Sequence, residues 1–493
     1  MNTVQTIAKN TGVLLASQVA SYILGFFFIM YTARYLGAEG FGILSFALAF
    51  TGIFGVFSDL GLQRLTVREV ARDKSLTQKY LGNIAVMKVI LVIITFGLIA
   101  LFINLLGYPE QTINVVYLIA LSVIFTAFTQ MFYSVFQAYE KMEYQSGGQI
   151  LNSVLMLSGA LFAISQGFSV VGFASLYFLV SAIVFGYSFA ISVQKFAKPK
   201  IEVDLNFWKP TIKEALPFGL SWLFVTVYYY IDTVMLSLMV LNANEVIGWY
   251  NAAYRLVLML LFMRTILHTS IFPIMSKFYK TSKESLKFTC EKLFKYSIII
   301  AFPIAVGTTI LSERFILLIY GSEYLPAVIA LQILIWSDVI IFANFTPRLF
   351  ESINKQIIFT GITMLGAVTN VLLNLLLIPQ FSYVGAAIAT CLTEFILLFP
   401  SFIIFSKTEY RFSGSFALKN ISKMFIAGVG MGFFVKYFYD LNLAVLIILS
   451  GLIYVWLLYL MKTFDETDIY IVRNLIKGKI SIPDKVLEKL NRR

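Results

Sequence analysis

Histidine, cysteine and charged residues are all scarce in this chain of 493 residues. One histidine and two cysteines are too few for a conventional zinc cluster, so we predict no metal site and no cofactor. Charged residues make up 13% of the chain, roughly half of the share that is typical of soluble proteins. This composition argues against a soluble enzyme with a charged surface.

Long apolar runs are abundant instead. Hydrophobic residues make up 59% of the chain and the mean hydropathy is +0.83. A helix needs about 20 apolar residues to cross a bilayer, and these runs are too long for barrel strands. We therefore predict an all-α polytopic membrane protein with about fourteen transmembrane helices, at residues 11–33, 41–60, 84–106, 113–138, 149–166, 169–194, 214–240, 248–272, 293–311, 327–350, 357–378, 385–406, 419–439 and 443–461.

Lysine and arginine are distributed unevenly between the two sides of these spans. With a cytoplasmic N-terminus, most of the 38 lysines and arginines fall in cytoplasmic loops, and the outer loops hold only Arg34 and Arg314. The positive-inside rule then predicts a cytoplasmic-membrane protein with both termini in the cytoplasm. The net charge of +12 reflects this topology and attraction to anionic lipids. It is no indication of nucleic-acid binding.

Short sequence matches indicate an internal duplication. Three segments of the first half recur in order, at nearly one offset, in the second half, and they align Gly42 with Gly248, Gly107 with Gly321, and Ser169 with Ser382. We therefore predict a six-helix lobe at 1–194, a cytoplasmic linker at 195–213 and a second six-helix lobe at 214–406. Two additional transmembrane helices follow at 407–461, and a basic cytoplasmic tail at 462–493 is expected to lie on the inner leaflet.

Four segments carry a resemblance to a known family. They are "TARYLGAEGFGILSFALAFTGIFGVFSDLGLQRLTVREVARD", "YYYIDTVMLSLM", "EVIGWYNAAYRL" and "LLIYGSEYLPA". With the order of six, six and two spans, they resemble Wzx-type polysaccharide and oligosaccharide-lipid flippases of the multidrug/oligosaccharidyl-lipid/polysaccharide exporter superfamily. The resemblance covers essentially the whole chain.

The resemblance implies a fold and a function. Two six-helix lobes would form a V around a solvated cavity. A polyprenyl-diphosphate-linked oligosaccharide would cross the cytoplasmic membrane by alternating access, for assembly of a cell-surface polysaccharide or glycan. The expected partners are this lipid-linked oligosaccharide, membrane lipids and other polysaccharide-assembly proteins.

Asp232 and Arg255 are the first candidate pair on the transport path. An aspartate at the centre of a membrane helix costs about 2.5–3.5 kcal/mol. Both residues fall at a similar predicted depth on consecutive antiparallel spans, so an ion pair would offset much of this cost. Two interpretations stay open: a structural pair that joins the two spans, and a cavity pair that accepts an anionic headgroup or a coupling cation.

Four more side chains lie inside the predicted spans of the second half. Arg264 is on the helix face opposite Arg255 and shares its face with His268. It either lines the path or extends to the inner interface. Asn370 and Asn374 share one face of their span, where they either join helices or contact sugar hydroxyl groups.

Asp338 and Glu394 are the candidates for cation or proton coupling. Both fall near the middle of their spans, where a carboxylate needs a partner or a proton. Arg348 and Glu351, three residues apart, are predicted to form a plain interfacial ion pair.

The first half has no carboxylate in mid-membrane. Its candidates are neutral, namely Gln18, Gln130, Gln137 and Asn152. Lys88 is expected to extend to the interface, and Asp59, Arg64 and Arg68 mark either a cytoplasmic gate or a solvated helix end.

Two alternatives to a flippase are weighed. A cation-coupled drug exporter of the same superfamily typically carries an acidic site in its first span, where this chain has Gln18. A membrane glycosyltransferase or polymerase needs a catalytic site on an outer loop, but the outer loops are short, and the sequence shows no D-x-D motif at a membrane face and no P-loop. We therefore expect a transporter and not an enzyme.

Overall fold

The computed structural model describes residues 3–466 and residue 468, and within this range the chain folds into α-helices joined by short turns. Most of the predicted tail at 462–493 therefore lies outside the described residues. The helices are α1 (Thr3–Gly55), α2 (Leu62–Arg72), α3 (Thr77–Leu105), α4 (Glu110–Ala138), α5 (Met142–Ser165), α6 (Val170–Lys195), α7 (Leu205–Met239), α8 (Ala243–Thr281), α9 (Lys283–Ile319), α10 (Ala327–Ala343), α11 (Thr346–Ser352), α12 (Gln356–Ser406), α13 (Gly414–Tyr437) and α14 (Leu443–Leu460).

Twelve helical stretches of the described chain are long and apolar enough to cross a membrane. Two of them are interrupted, α1 at Gly37 (φ 68°, ψ 178°) and α12 at Ser382 (φ 54°, ψ −135°). Because both parts of each helix retain about the 20 residues that one crossing needs, the structure agrees with the predicted count of about fourteen. The all-α polytopic fold is therefore confirmed.

The aligned repeat positions share unusual backbone geometry. Gly107 and Gly321 both have positive φ angles, of 69° and 97°, a region that glycine enters at little cost. Ser169 precedes the first residue of α6, and its predicted counterpart Ser382 marks the break in α12. These matches support a duplication, although the division into two six-helix lobes stays a prediction.

The chain separates into two compact units. Unit 1 comprises Met1–Asn251 and Asn374–Tyr383, and unit 2 comprises Ala252–Leu373 and Val384–Arg493. The first break between the units therefore falls inside α8, whereas the sequence places the boundary between its lobes in the linker at 195–213. This linker belongs to unit 1 together with α7.

Two glycines that the repeat aligns pack against each other's helices in unit 1. A methyl group on Gly42 would overlap the carbonyl oxygen of Asn244, and one on Gly248 would overlap that of Ala38. Only hydrogen side chains allow the main chains of α1 and α8 to approach so closely. We call this the Gly42–Gly248 contact.

A second contact of this kind joins the turn before α2 to α7. A methyl group on Gly61 would overlap the carbonyl oxygen of Ala215, and one on Gly219 would collide with the backbone of Leu60. Gly61 also has a φ angle of 87°, which most other residues avoid. We call this the Gly61–Gly219 contact.

An ion pair stabilises the end of α1 near α3. The Lys88 ammonium lies 2.7 Å from the Asp59 carboxylate, and the Lys88 side chain is fully buried. The expectation that Lys88 extends to the interface is therefore wrong, because a carboxylate within the protein compensates its charge. Asp59 also accepts hydrogen bonds from the backbone N–H groups of Gly61 and Gln63 at the start of α2.

The linker between α6 and α7 is held against α3. Asp204 caps α7, since its carboxylate accepts hydrogen bonds from the backbone of Asn206 and Phe207, and it forms a 3.1 Å ion pair with Lys79. The Asn83 side chain accepts further bonds from the Asp204 backbone and the Trp208 indole N–H. The linker is thus an ordered part of unit 1.

Unit 2 has an aromatic core around α9. Its members come from α8, α9, α11, α12, α13 and α14, and the largest include Phe294, Phe345, Phe350, Phe405 and Tyr454. Phe345 makes close ring contacts with Phe294 and Phe405. The two helices predicted as additions, α13 and α14, thus share one core with the rest of this unit.

The segment after α14 returns to α9 through a buried carboxylate. Asp468 accepts hydrogen bonds from the ammonium groups of Lys292 and Lys295 and from the hydroxyl of Tyr296. Burial of Asp468 by itself raises the pKa of its carboxyl, but the bonds from Lys292, Lys295 and Tyr296 outweigh it and lower the pKa to about 2. We call this group the Asp468 cluster.

We predict that Asp468→Asn destabilises unit 2 by about 3 kcal/mol, because it removes the buried carboxylate that pairs with both ammonium groups and leaves them beside the more exposed Asp465. A thermal-unfolding midpoint measured in detergent checks this. Asp465→Asn is the matched control: its carboxylate also contacts Lys292, at 2.6 Å, but its side chain is 55% exposed, so a loss of no more than about 1 kcal/mol is expected.

The same cluster predicts a pH dependence with a definite sign. The pKa of Asp468 lies below its ordinary value of 3.8, so its carboxylate stabilises the folded state above that pH. The stabilisation is lost as the pH falls from 3.8 towards about 2. Asp468→Asn should remove this part of the acid dependence, and an unchanged acid transition in the variant would contradict the assignment.

Candidate functional site

Asp232 lies about two helical turns before the end of α7 at Met239 and is 2% exposed. Its carboxylate is held by hydrogen bonds from neutral groups. The hydroxyl of Tyr250 donates to Oδ2, and the amide nitrogen of Asn374 donates to Oδ1 at 2.5 Å. Bonds to an ionised acceptor are the strong ones, so these two donors offset part of the cost of burying the charge. All three residues belong to unit 1.

The hydrogen bonds between α7 and α8 follow one register. Tyr250 is 18 residues beyond Asp232, and Asn251 is 18 residues beyond Thr233, to which its amide donates at 3.1 Å. Nearer the turn, Ser237 shares a 2.7 Å hydrogen bond with Tyr108. Asp232, Thr233 and Ser237 of α7 therefore each bond to a side chain from another part of the chain.

Tyr250 was not among the predicted site residues. The sequence places the start of the eighth span at 248, whereas α8 begins at Ala243. When depth is counted from the end of α7 and from Ala243, Tyr250 lies level with Asp232. Arg255 lies more than one helical turn further along α8. Arg255 is partly buried on α8, in unit 2, and lies within electrostatic range of Tyr320. The Asp232–Arg255 pair stays a prediction.

Arg264 is partly buried and His268 fully buried, both in unit 2. The Arg264 guanidinium donates to the carbonyl oxygen of Asn344 at 3.1 Å, at the residue where α10 ends, and so it satisfies a carbonyl that the helix leaves open. His268 is 1% exposed, and neither ring nitrogen has a hydrogen-bond partner among the described residues. The predicted Arg348–Glu351 ion pair is confirmed, at 2.7 Å.

Asp338 and Glu394 come together with Arg264. Asp338, on α10, is 3% exposed, and both of its carboxylate oxygens are buried without a hydrogen bond from the part of the chain that the structure describes. Its strongest charged neighbours are Glu394 on α12 and Arg264 on α8. We call these three residues the unit 2 charge cluster. A buried carboxyl without a donor requires a proton, a cation or a closer partner.

Asn370 and Asn374 lie one turn apart on α12 and are both fully buried. Asn374 bonds to Asp232, so the structure unites two residues that the sequence singled out separately. This contact supports a role in joining helices for Asn374. Asn370 belongs to unit 2.

Three of the four neutral candidates of the first half share one cavity in unit 1. Gln18, Gln130 and Asn152 line a space of about 710 Å3 between α1, α4, α5 and α6. Gln137, the fourth, donates a hydrogen bond of 3.0 Å to Gln145, which lines the cavity. Gln149, which also lines the cavity, lies one helical turn after Gln145 and was not singled out from the sequence.

Comparison with known proteins places the chain in a family. The model of the family described as "Polysaccharide biosynthesis protein" matches residues 7–279. The probable low-salt glycan biosynthesis flippase Agl15 of Haloferax volcanii is 23% identical over 87% of this chain and 90% of its own length. The lipopolysaccharide biosynthesis protein WzxC of Escherichia coli is 24% identical over 61% of each chain.

A solved structure shows the same fold. The lipid II flippase MurJ in an inward closed conformation superposes with a TM-score of 0.75 and 16% identity, over 91% of this chain and 98% of that protein. Because the family model covers more than half of the sequence, and the flippase relatives and the fold agree with it, this chain belongs to the polysaccharide biosynthesis protein family, as a Wzx-type member of the multidrug/oligosaccharidyl-lipid/polysaccharide exporter superfamily.

Proposed function

We propose that this protein is a flippase that carries a polyprenyl-diphosphate-linked oligosaccharide across the cytoplasmic membrane by alternating access, for cell-surface polysaccharide or glycan assembly. The family and the names of the relatives support a transporter rather than an enzyme. One structural observation carries the proposal: charged and amide side chains lie buried within helices that are otherwise apolar. Ionisable groups at such positions mark the paths of substrates and ions.

The two glycine contacts support alternating access. In the predicted topology, the Gly42–Gly248 contact lies on the outer side, next to the break in α1 at Gly37 and near the start of α8, and the Gly61–Gly219 contact lies near the cytoplasmic end of α7. Both are backbone packing contacts without side chains. Opening of the Gly61–Gly219 contact would also separate the ion pair between Arg68 on α2 and Glu214 on α7, an exposed pair of a kind that contributes little to stability. In the proposed cycle, one contact opens while the other stays closed.

The unit 2 charge cluster is the proposed coupling site. Asp338 has no hydrogen-bond donor within the described chain, so a proton or a bound cation would stabilise it. Arg264 lies within electrostatic range of Asp338, and its positive charge balances one of the two carboxylates. The cluster could therefore gain or lose one proton or cation without holding two unbalanced negative charges. The same cluster would serve a cation-coupled exporter of small molecules, which a drug-efflux assay in the same vesicles distinguishes.

We predict that Gly42→Ala opens the outer side of unit 1, because the added methyl group overlaps the Asn244 carbonyl. The readout is labelling of Asn251→Cys, on α8 just inside this contact, by a membrane-impermeant thiol reagent after Cys290→Ala and Cys391→Ala. A shift of about 1.4 kcal/mol towards the open state should speed labelling about tenfold. Gly97→Ala, where no atom lies within 4 Å of the added carbon, should label at the original rate.

Arg255→Lys tests whether Arg255 binds the diphosphate of the substrate. Lysine keeps the charge but lacks the planar fork that binds two phosphate oxygens at once. We expect flipping of a fluorescent lipid-linked oligosaccharide in proteoliposomes to fall about tenfold, as loss of one charged hydrogen bond of about 1.5 kcal/mol implies, with thermal stability unchanged. Normal flipping in this variant would remove Arg255 from the substrate path.

Asp338→Asn and Glu394→Gln test the coupling site. Flipping measured across a series of pH values and sodium concentrations should lose its dependence on one of these ions in at least one variant. Glu351→Gln, which removes the carboxylate of the Arg348 pair, is the control and should retain the wild-type dependence. If both variants keep the full ion dependence, coupling lies elsewhere.

A further inference from the structure

The cavity between α1, α4, α5 and α6 is polar and uncharged. Of its fifteen lining residues, twelve carry an amide or hydroxyl group, and none is acidic or basic. Its volume of about 710 Å3 falls within the range of small-molecule sites, about 300–1,000 Å3. All the lining residues belong to unit 1. We call this space the amide pocket, after Gln18, Gln130, Gln145, Gln149 and Asn152.

The amides of the pocket retain hydrogen-bonding capacity. Within the described chain, the structure gives the side chains of Gln18, Gln149 and Asn152 no hydrogen bond to protein. Gln130 accepts a bond from Gln63, and Gln145 accepts one from Gln137, each at 3.0 Å. These bonds use the carbonyl oxygens and fix the orientation, so the NH2 groups of both amides stay available to a ligand.

Hydroxyl groups complete the wall. The Ser21 hydroxyl is buried and has no hydrogen-bond partner in the part of the chain that the structure describes. Tyr133 reaches the wall because residue 148 is glycine: a methyl group there would overlap the tyrosine hydroxyl. The aromatic ring of Tyr22 also lines the space. An aromatic face beside amides and hydroxyls offers both apolar contact and hydrogen bonds.

The chemistry of the wall selects the class of ligand. A charged ligand would lose its hydration without meeting a counter-charge, and an apolar one would leave the amides unsatisfied. Primary amides and hydroxyls both donate and accept, which matches the hydroxyl groups of a sugar. We propose that the amide pocket binds uncharged sugar residues of the glycan, an inference that rests on the proposed flippase function.

The position of the pocket fits a loading site. Its residues on α4 and α5 lie close to the turn at 139–141 that joins these helices, and the distribution of lysine and arginine places this turn in the cytoplasm. A lipid-linked glycan would therefore meet the pocket on the side where it enters the cycle. The phosphates, which the pocket cannot neutralise, would stay with charged residues elsewhere in the chain.

The test compares two lipids on the full chain in nanodiscs: undecaprenyl diphosphate, and the same lipid carrying N-acetylglucosamine. The double variant Gln149→Leu, Asn152→Leu should bind the sugar-bearing lipid about tenfold more weakly, through loss of two hydrogen bonds, and the bare lipid as before. Gln166→Leu, an exposed amide after α5 outside the pocket, should change neither affinity. Equal loss for both lipids, or no loss, would overturn the proposal.

A second measurement needs no flippase activity. After Cys290→Ala and Cys391→Ala, Asn152→Cys should react with a small thiol reagent, and the uncharged sugar maltotriose should slow the reaction. Gln166→Cys should react equally with and without the sugar. Protection without any lipid binding would keep the pocket and overturn the flippase function. Two results together would overturn the pocket alone: maltotriose does not slow labelling of Asn152→Cys, and the Gln149→Leu, Asn152→Leu variant flips the glycan lipid at the original rate.

Discussion

The hydrocarbon core of a membrane offers no water to a polar group, so a buried polar side chain without a partner in the protein is costly. Asp232 shows how this chain offsets that cost. The donors to its carboxylate come from α8 and α12, through Tyr250 and Asn374. One aspartate thereby fixes the rotation of three helices about their axes. The neighbouring Thr233–Asn251 bond continues the same register along α7 and α8.

Glycines join other helices in a different way, through close packing of main chains and without polar side-chain partners. At Gly42 and Gly248 the main chains of α1 and α8 pack directly against each other, and at Gly61 and Gly219 the turn before α2 packs against α7. Van der Waals packing between small residues is a major force between helices in lipid. It is also weak enough per residue to be reversed. One hydrogen-bonded centre and two close backbone contacts are compatible with the alternating access proposed above.

Charge is divided unevenly along the chain. The first half keeps its buried Lys88 paired with Asp59 at a helix end and lines the amide pocket with neutral amides and hydroxyls. The second half buries Asp338, Glu394 and the Asp468 cluster, with Arg264 partly buried beside the two membrane carboxylates. A substrate with a neutral glycan and a charged diphosphate combines both kinds of group. The proposed division of labour, with sugars at the amide pocket and charge handled by residues of the other half, follows from this asymmetry.

The fold class, the approximate number of spans and the polar side chains inside them could all be predicted from hydropathy along the chain. Hydropathy depends on composition over about 20 residues, so an error of a few residues at each boundary does not change the count. Tertiary structure decided which of those side chains meet. The five-residue error at the start of α8 was enough to select Arg255 instead of Tyr250 as the residue level with Asp232. The convergence of Gln18, Gln130 and Asn152 on one cavity, and of Asp338, Glu394 and Arg264 on one cluster, depends on helix packing across long stretches of sequence, which no local pattern encodes.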